Sequence, residues 1–254
     1  MKYLIKMYQK IGIKMTSSYS PNFSLNKRSK KKIKFIIIHY TGMKTESAAI
    51  NKLQDPSSKV SSHYYIKNDG NILNLVPDLY EAWHAGLSNW KNFKSLNKCS
   101  IGIEITNPGH QHGYKNFSKK QILSLKKLLN YLIKRYEINL KCVLGHSDIS
   151  PERKKDPGEK FPWKILSKKN LGWWHKLNTK NLKRHRNIQL ASKSEKNRFL
   201  MNLHKIGYND IKGLKKNISN KHLVTAFQRR FRQSLIDGKV DKECFLISEN
   251  LLLN

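Results

Sequence analysis

The sequence predicts an α/β fold followed by a small helical bundle, and three observations carry that reading. An uninterrupted apolar run, Phe35 to Ile38, has strand length and suits a strand buried on both faces. The segment SIGIEIT (100–106) alternates, with Ile101, Ile103 and Ile105 on one side and Gly102, Glu104 and Thr106 on the other. A helical stripe of Ile122, Leu125, Leu129, Leu132 and Tyr136 follows a capping-box pattern at Ser118 and Gln121.

The remaining elements fall around these. The first fifteen residues space Lys2, Lys6, Lys10 and Lys14 along one helical face and Leu4, Tyr8, Ile11 and Met15 along another. They read as a basic amphipathic helix or, preferred here, as a disordered extension with Met15 as the true start. A polar, basic stretch runs to Lys32. Residues 45–54 suit a short helix, and HYYIKNDGNILNLV suits a β-hairpin, because Asp69-Gly70 supplies the positive φ of a tight turn. Cys142-Val143-Leu144 reads as a strand in which Cys142 is a small buried residue, ending at Gly145-His146. The α/β domain is placed at residues 20–175, after an extension at 1–19. Residues 176–195 are polar and weakly periodic and read as a linker. Residues 196–254 form three short helices marked by Leu200, Leu203 and Ile206, by Leu223, Phe227 and Phe231, and by Phe245 to Leu252, with a turn at Asp237-Gly238.

Composition narrows the function classes. The 254 residues include 50 Lys and Arg against 17 Asp and Glu, a formal charge of +33, which favours anionic partners: nucleic acid, a membrane surface or a carboxylate-rich polymer. The cations are scattered and no aromatic-interleaved basic motif accompanies them, so no specific nucleic-acid partner is expected. No apolar run approaches the roughly eighteen residues that cross a bilayer, and no secretory signal is visible, so a cytoplasmic monomer is favoured over a periplasmic or membrane-peripheral one. The three cysteines, Cys99, Cys142 and Cys244, are too far apart for a CxxC site and odd in number.

The chemistry gathers where strands end. FIII runs into His39, VLG runs into His146, Glu104 sits on the less apolar side of its strand, and Asp156 lies in the loop RKKDPGEKFPW. Ligand sites of open α/β sheets collect at the carboxyl ends of parallel strands. Two imidazoles and a carboxylate suit a catalytic zinc, leaving one coordination position open and a net positive charge. Glu104 is placed to move a proton and Lys154 to stabilise a developing oxyanion. Spacing alone is a weak signal, since HExxH is absent and a lone histidine is more often structural.

The segments SPNF (20–23), FIIIHYTG (35–42), SSHYYI (61–66), AWHAG (82–86), SIGIEITNPG (100–109) and GHSDISPERKKDPG (145–158) together resemble the AmpD/AmiD-type zinc-dependent N-acetylmuramoyl-L-alanine amidases, related to the peptidoglycan recognition proteins. The resemblance implies a mixed central sheet flanked by helices, one Zn2+ per chain, and hydrolysis of the amide between N-acetylmuramic acid (intact or 1,6-anhydro) and L-alanine in peptidoglycan or muropeptides. It places His39, His146 and Asp156 on the zinc ligands, Glu104 on the catalytic carboxylate and Lys154 on the catalytic lysine. Trp83, His84 and Asn107 are candidate substrate contacts, His63 a support, and Trp90 either a sugar-stacking or a core residue. His110 and His112 read as part of a solvated loop. The tail, through AFQRRF (226–231) and IDGKVD (236–241), resembles the peptidoglycan-binding helical domain often joined to these enzymes. Two other readings remain: a peptidoglycan-binding protein without catalysis, and a basic nucleic-acid-binding protein.

Overall fold

The computed structural model describes residues 12, 14–190, 192–209 and 220–254. Its centre is a six-stranded sheet of β1 (Met15–Ser17), β2 (Phe35–Tyr40), β3 (Tyr64–Ile66), β4 (Ile72–Asn74), β5 (Ser100–Ile105) and β6 (Val143–Gly145), in the order β1-β4-β3-β5-β2-β6. The sheet is mixed. β3 and β4 form the antiparallel hairpin, whose turn holds Gly70 at φ +84°, and the other pairings are parallel. A parallel sheet needs cover on both faces, which explains why Phe35 to Ile38 are apolar without a break.

Helix α1 (Glu46–Gln54) begins at Thr45, whose side chain accepts from the Ala48 amide. Helix α2 (Lys119–Tyr136) starts with both hydrogen bonds of the Ser118–Gln121 capping box in place. It lays Leu125, Leu128, Leu129, Leu132 and Tyr136 on the sheet face formed by Ile36, Ile38, Ile101, Ile103 and Ile105, while Ile122 is only partly buried. Burying such side chains contributes about 1.5–3 kcal/mol each before the loss of chain entropy is counted.

The opposite face of β2 and β6 carries Phe35, Ile37 and Leu144, and the C-terminal helices cover it. After α3 (His146–Ile149), α4 (Trp163–Ser167) and α5 (Thr179–Lys183) come α6 (Lys193–Ile206), α7 (Lys221–Phe231) and α8 (Lys242–Leu253). Phe199 and Leu203 of α6 and Leu223, Phe227 and Phe231 of α7 share one apolar cluster with Phe35, Ile37 and Leu144. The aromatic residues of AFQRRF therefore build the core of the tail. Among the described residues, no helix is long and apolar enough to cross a membrane.

Three details differ from the sequence reading. Met15–Ser17 pairs in parallel with Ile72–Asn74, so the sheet begins before residue 20; the reading of residues 1–11 and 13 lies outside the described residues. The segment 176–195 contains α5, buries Leu182 and Leu190 and pairs Gln189 with Asp241, so two isolated leucines anchor a stretch whose composition suggested a bare linker. Cys142 ends a 3-10 turn and is only partly buried, because the strand starts one residue later.

Candidate active site

The site forms where the parallel strands end. Gly145 lies opposite Ile38 in the β6–β2 register, so the next residues, His146 and His39, emerge together. On the other side of β2, His39 is paired with Glu104 of β5, so both project toward the same face. The loop after α3 returns Asp156, whose carbonyl accepts from the Ser147 amide at 2.8 Å.

The three side chains converge. His39 Nδ1 is 2.9 Å from His146 Nδ1 and 3.0 Å from Asp156 Oδ2, and His146 Nδ1 is 3.1 Å from the same oxygen. All three residues are buried, and among the described residues they are a group whose ligand atoms lie close enough to hold a metal ion.

The hydrogen bonds behind the histidines fix which nitrogens carry protons. Ser100 Oγ donates to the Leu96 carbonyl at 2.6 Å, so it accepts from His84 Nε2 at 3.1 Å. Burial keeps His84 neutral, well below its ordinary pKa, which leaves its Nδ1 as an acceptor for His39 Nε2–H at 3.0 Å. His146 Nε2 faces the Ala85 carbonyl at 3.0 Å and so carries a proton. Burial, then the neighbouring His146, lower His39 to a pKa of about 4. Burial opposes ionisation of Asp156, but His146 and His39 hold its carboxyl well below the usual range. A neutral His39 thus turns a lone pair toward the carboxylate, and His146 turns its Nδ1 toward the same oxygen. Electron-rich atoms gathered around one point repel unless a cation lies among them, and hydrogen-bonded second nitrogens are the usual support of metal-bound histidines.

Glu104 adds the second element. Its Oε2 is buried and has no hydrogen-bond partner among the described residues. Burial, then the charge of Asp156, raise its pKa to about 8, while Lys154 pulls the other way. Both Glu104 and Lys154 line a cleft of about 420 Å3, which is also bordered by Trp83, Lys52, Arg153 and Lys155.

The other expected contacts divide. Trp83 stands on the cleft wall, with its indole N–H donating to Ser24 Oγ at 3.2 Å. His84 touches the cleft, and both its ring nitrogens are engaged, by His39 and Ser100, so its contacts are those of a support for His39. Asn107 is buried, donates to the Lys115 carbonyl at 2.8 Å and accepts from the Gly109 amide at 3.1 Å. It shapes its own loop and does not line the cleft. His63 is a support: its Nδ1 accepts from the Gly102 amide at 3.0 Å. Trp90 is a core residue, buried against Tyr208. His110 departs from the solvated-loop reading, since it accepts from Tyr40 Oη at 2.8 Å and meets Glu159 at 3.1 Å. His112 is exposed.

Sequence reasoning missed Ser100 and the close approach at Gly102. A Cβ at Gly102 would lie 2.4 Å from the His84 ring. A glycine inside a clean strand pattern was the available signal for such an approach.

The family described as N-acetylmuramoyl-L-alanine amidase matches residues 29–159, slightly more than half of the chain and including every residue of the converging set. The chain belongs to this amidase family. The amidase is 35% identical over 238 residues to N-acetylmuramoyl-L-alanine amidase AmiD of Escherichia coli K12, covering 87% of this chain and 83% of the relative. It is 40% identical over 106 residues to 1,6-anhydro-N-acetylmuramyl-L-alanine amidase AmpD of Haemophilus influenzae, over 41% of this chain and 55% of that protein. Among solved structures it is similar to E. coli AmiD in complex with anhydro-N-acetylmuramic acid-L-Ala-D-gamma-Glu-L-Lys, with a TM-score of 0.76, 31% identity and 91% of each chain covered. It is also similar to AmpDh3 of Pseudomonas aeruginosa in complex with an anhydromuramic pentapeptide, with a TM-score of 0.73, 30% identity and coverage of 91% of this chain and 95% of the other. The amidase hydrolyses the amide bond between N-acetylmuramic acid and L-alanine.

Proposed function

We propose that the amidase is zinc-dependent, with His39, His146 and Asp156 as the ligands, Glu104 as the acid–base residue and Lys154 as an oxyanion stabiliser. The observation that carries this reading is the pairing of His39 with Glu104 across β2 and β5, which sets a buried carboxylate oxygen, without a partner among the described residues, beside three convergent donors. A bound Zn2+ would act as a Lewis acid on the lactyl carbonyl and make water more acidic.

The chain's own residues do the rest. Glu104 takes a proton from the attacking water as its oxygen bonds to the lactyl carbonyl carbon. The Lys154 ammonium offsets the negative charge that grows on the carbonyl oxygen. Glu104 then delivers the proton to the alanine nitrogen as the C–N bond breaks, and the second proton of the water passes from the new lactyl carboxyl to the amine, leaving a carboxylate and an ammonium. A pKa of about 8 in the metal-free site suits both transfers, and a cation nearby draws it toward neutrality.

The substrate follows from the rim and from the relatives. Lys52, Arg153 and Lys155 border the cleft beside Lys154, and muropeptides carry several carboxylates, so the rim attracts them. Two solved relatives hold anhydromuramyl peptides. We assign anhydro-muropeptides to this cleft, and the C-terminal unit to peptidoglycan binding on the resemblance of its sequence. Mass spectrometry of digests of isolated sacculi and of soluble anhydro-muropeptides tests the assignment. Release of stem peptide from the soluble substrate at the higher kcat/KM is the expected result, and cleavage of sacculi alone would refute the preference.

A further inference from the structure

The strand that presents His146 is an unusual carrier for a ligand. β6 is three residues long, lies at the edge of the sheet and is paired on one side only, with β2. A short edge strand leaves main-chain groups unpaired and is readily displaced. Two side chains of the C-terminal unit reach this strand and the turn that follows it.

Arg230 of α7 is 2% exposed. Its Nη2 donates to the Val143 carbonyl of β6 at 2.9 Å, and its Nη1 donates to Asp148 Oδ2 at 3.0 Å. Its guanidinium also lies 3.6 Å from the centre of the Trp163 ring. Tyr208, just after α6, donates its hydroxyl to Asp148 Oδ1 at 2.7 Å. Asp148 is itself 1% exposed, and Oδ2 accepts in addition from the Gly145 amide at 2.7 Å. Both carboxylate oxygens are thus engaged, and the three bonds lock the turn Gly145–Asp148 that has His146 inside it. A side chain at position 145 has no room: a Cβ there would lie 2.6 Å from Pro157 and 3.3 Å from Trp163. A planar guanidinium reaches the β6 carbonyl and the carboxylate at once, which an ammonium cannot do.

We propose that the C-terminal helical unit is a positioning element of the active site, acting through Arg230 and Tyr208 on Asp148 to hold the β6–α3 turn and with it the His146 imidazole. This rests on the reading of His146 as a metal ligand, and it holds whether or not the unit also binds peptidoglycan. Neither Arg230 nor Tyr208 is among the residues lining the cleft, and both reach the His146 turn through Asp148.

The test uses the full chain with Arg230→Gln, Arg230→Lys and Tyr208→Phe. Asn202→Ala is the control, because Asn202 is a buried residue of the same unit that bonds Ser248 at 3.1 Å, away from Asp148. Hydrogen exchange followed by mass spectrometry on the metal-free proteins reads the peptide 143–149 against 35–40. In Arg230→Gln and Tyr208→Phe the first peptide should exchange about tenfold faster and the second should not change. Arg230→Lys should fall between, and the control should match wild type. The zinc dissociation constant, from competition with a chromophoric chelator, should rise about tenfold in the same order, the lower end for a group supporting a metal ligand. If Arg230→Gln fails to fold, Tyr208→Phe carries the test, since it removes one hydroxyl. Unaltered exchange at 143–149, or equal acceleration in Asn202→Ala, overturns the proposal. A wild-type chain that takes up no zinc faults the ligand assignment instead, and the exchange data still decide the role of Arg230 and Tyr208.

Discussion

His39 and Glu104 are direct neighbours across β2 and β5, paired in register at the ends of two parallel strands. That pairing gives the two residues one relative position without any loop to adjust it. It is a rigid arrangement, suited to the metal ligand and the acid–base group proposed for these positions, which need fixed separation more than they need mobility.

Glu104→Gln should retain zinc and lower kcat by roughly a hundredfold or more, the scale of lost acid–base catalysis. Steady-state hydrolysis of a soluble muropeptide, with metal content measured on the same sample, checks this. Turnover near that of wild type would require a different base.

One zinc per chain is expected by elemental analysis, with activity lost on chelation and restored by Zn2+. His39→Ala and Asp156→Ala should abolish stoichiometric binding. A metal-free preparation at full activity would remove zinc from the mechanism.

The Glu104 carboxyl makes stability depend on pH. Its folded pKa of about 8 lies above the unfolded value of 4.5, so between these the folded chain binds more protons than the unfolded one. Stability from this group is therefore present in full below pH 4.5 and falls as pH rises through about 8. In the metal-free chain, Glu104→Gln should raise Tm by several degrees at pH 8.5 and bring little gain near pH 4.5, where the folded carboxyl is neutral and the unfolded one only half ionised. Equal Tm values for the two proteins throughout that window would show that Glu104 is not held protonated.

Gly102→Ala should push the His84 ring out of line, because the added Cβ meets it at 2.4 Å. With the support of His39 Nε2 disturbed, zinc affinity should drop about 10–100-fold. Chelator competition measures it, and an affinity equal to wild type would mean that the hydrogen bond from His39 to His84 does not position the ligand.

Removal of residues from Lys193 onward strips Phe199, Leu203 and Phe227 from the sheet face that carries Phe35, Ile37 and Leu144. The truncated chain should melt several degrees lower and lose activity on soluble muropeptides as well as on sacculi. If it keeps its Tm and full activity on the soluble substrate while binding to sacculi weakens, the unit is an independent wall-binding module.

The sequence by itself determined the strands β2 to β6, the capped helix α2 and, with the family resemblance, the candidate set of His39, Glu104, His146, Lys154 and Asp156. Each of these is a local matter: period-two alternation, period-3.6 stripes, cap residues, and reactive side chains at strand ends or in one short motif-bearing loop. Only the tertiary structure decided how the set is supported. Ser100, His84 and the Ala85 carbonyl orient the two histidines, and Asn107, an equally plausible contact by its place beside Glu104, turns away into its own loop. Composition did not show that the segment 176–195 is anchored or what the tail packs against, because Leu182, Leu190, Phe227 and Arg230 gain their meaning from partners far along the chain. A sequence pattern reports which face of an element is apolar. What that face packs against, and which buried polar group meets which, depends on contacts between distant segments, where hydrogen-bond geometry and burial select one arrangement from many that the pattern allows.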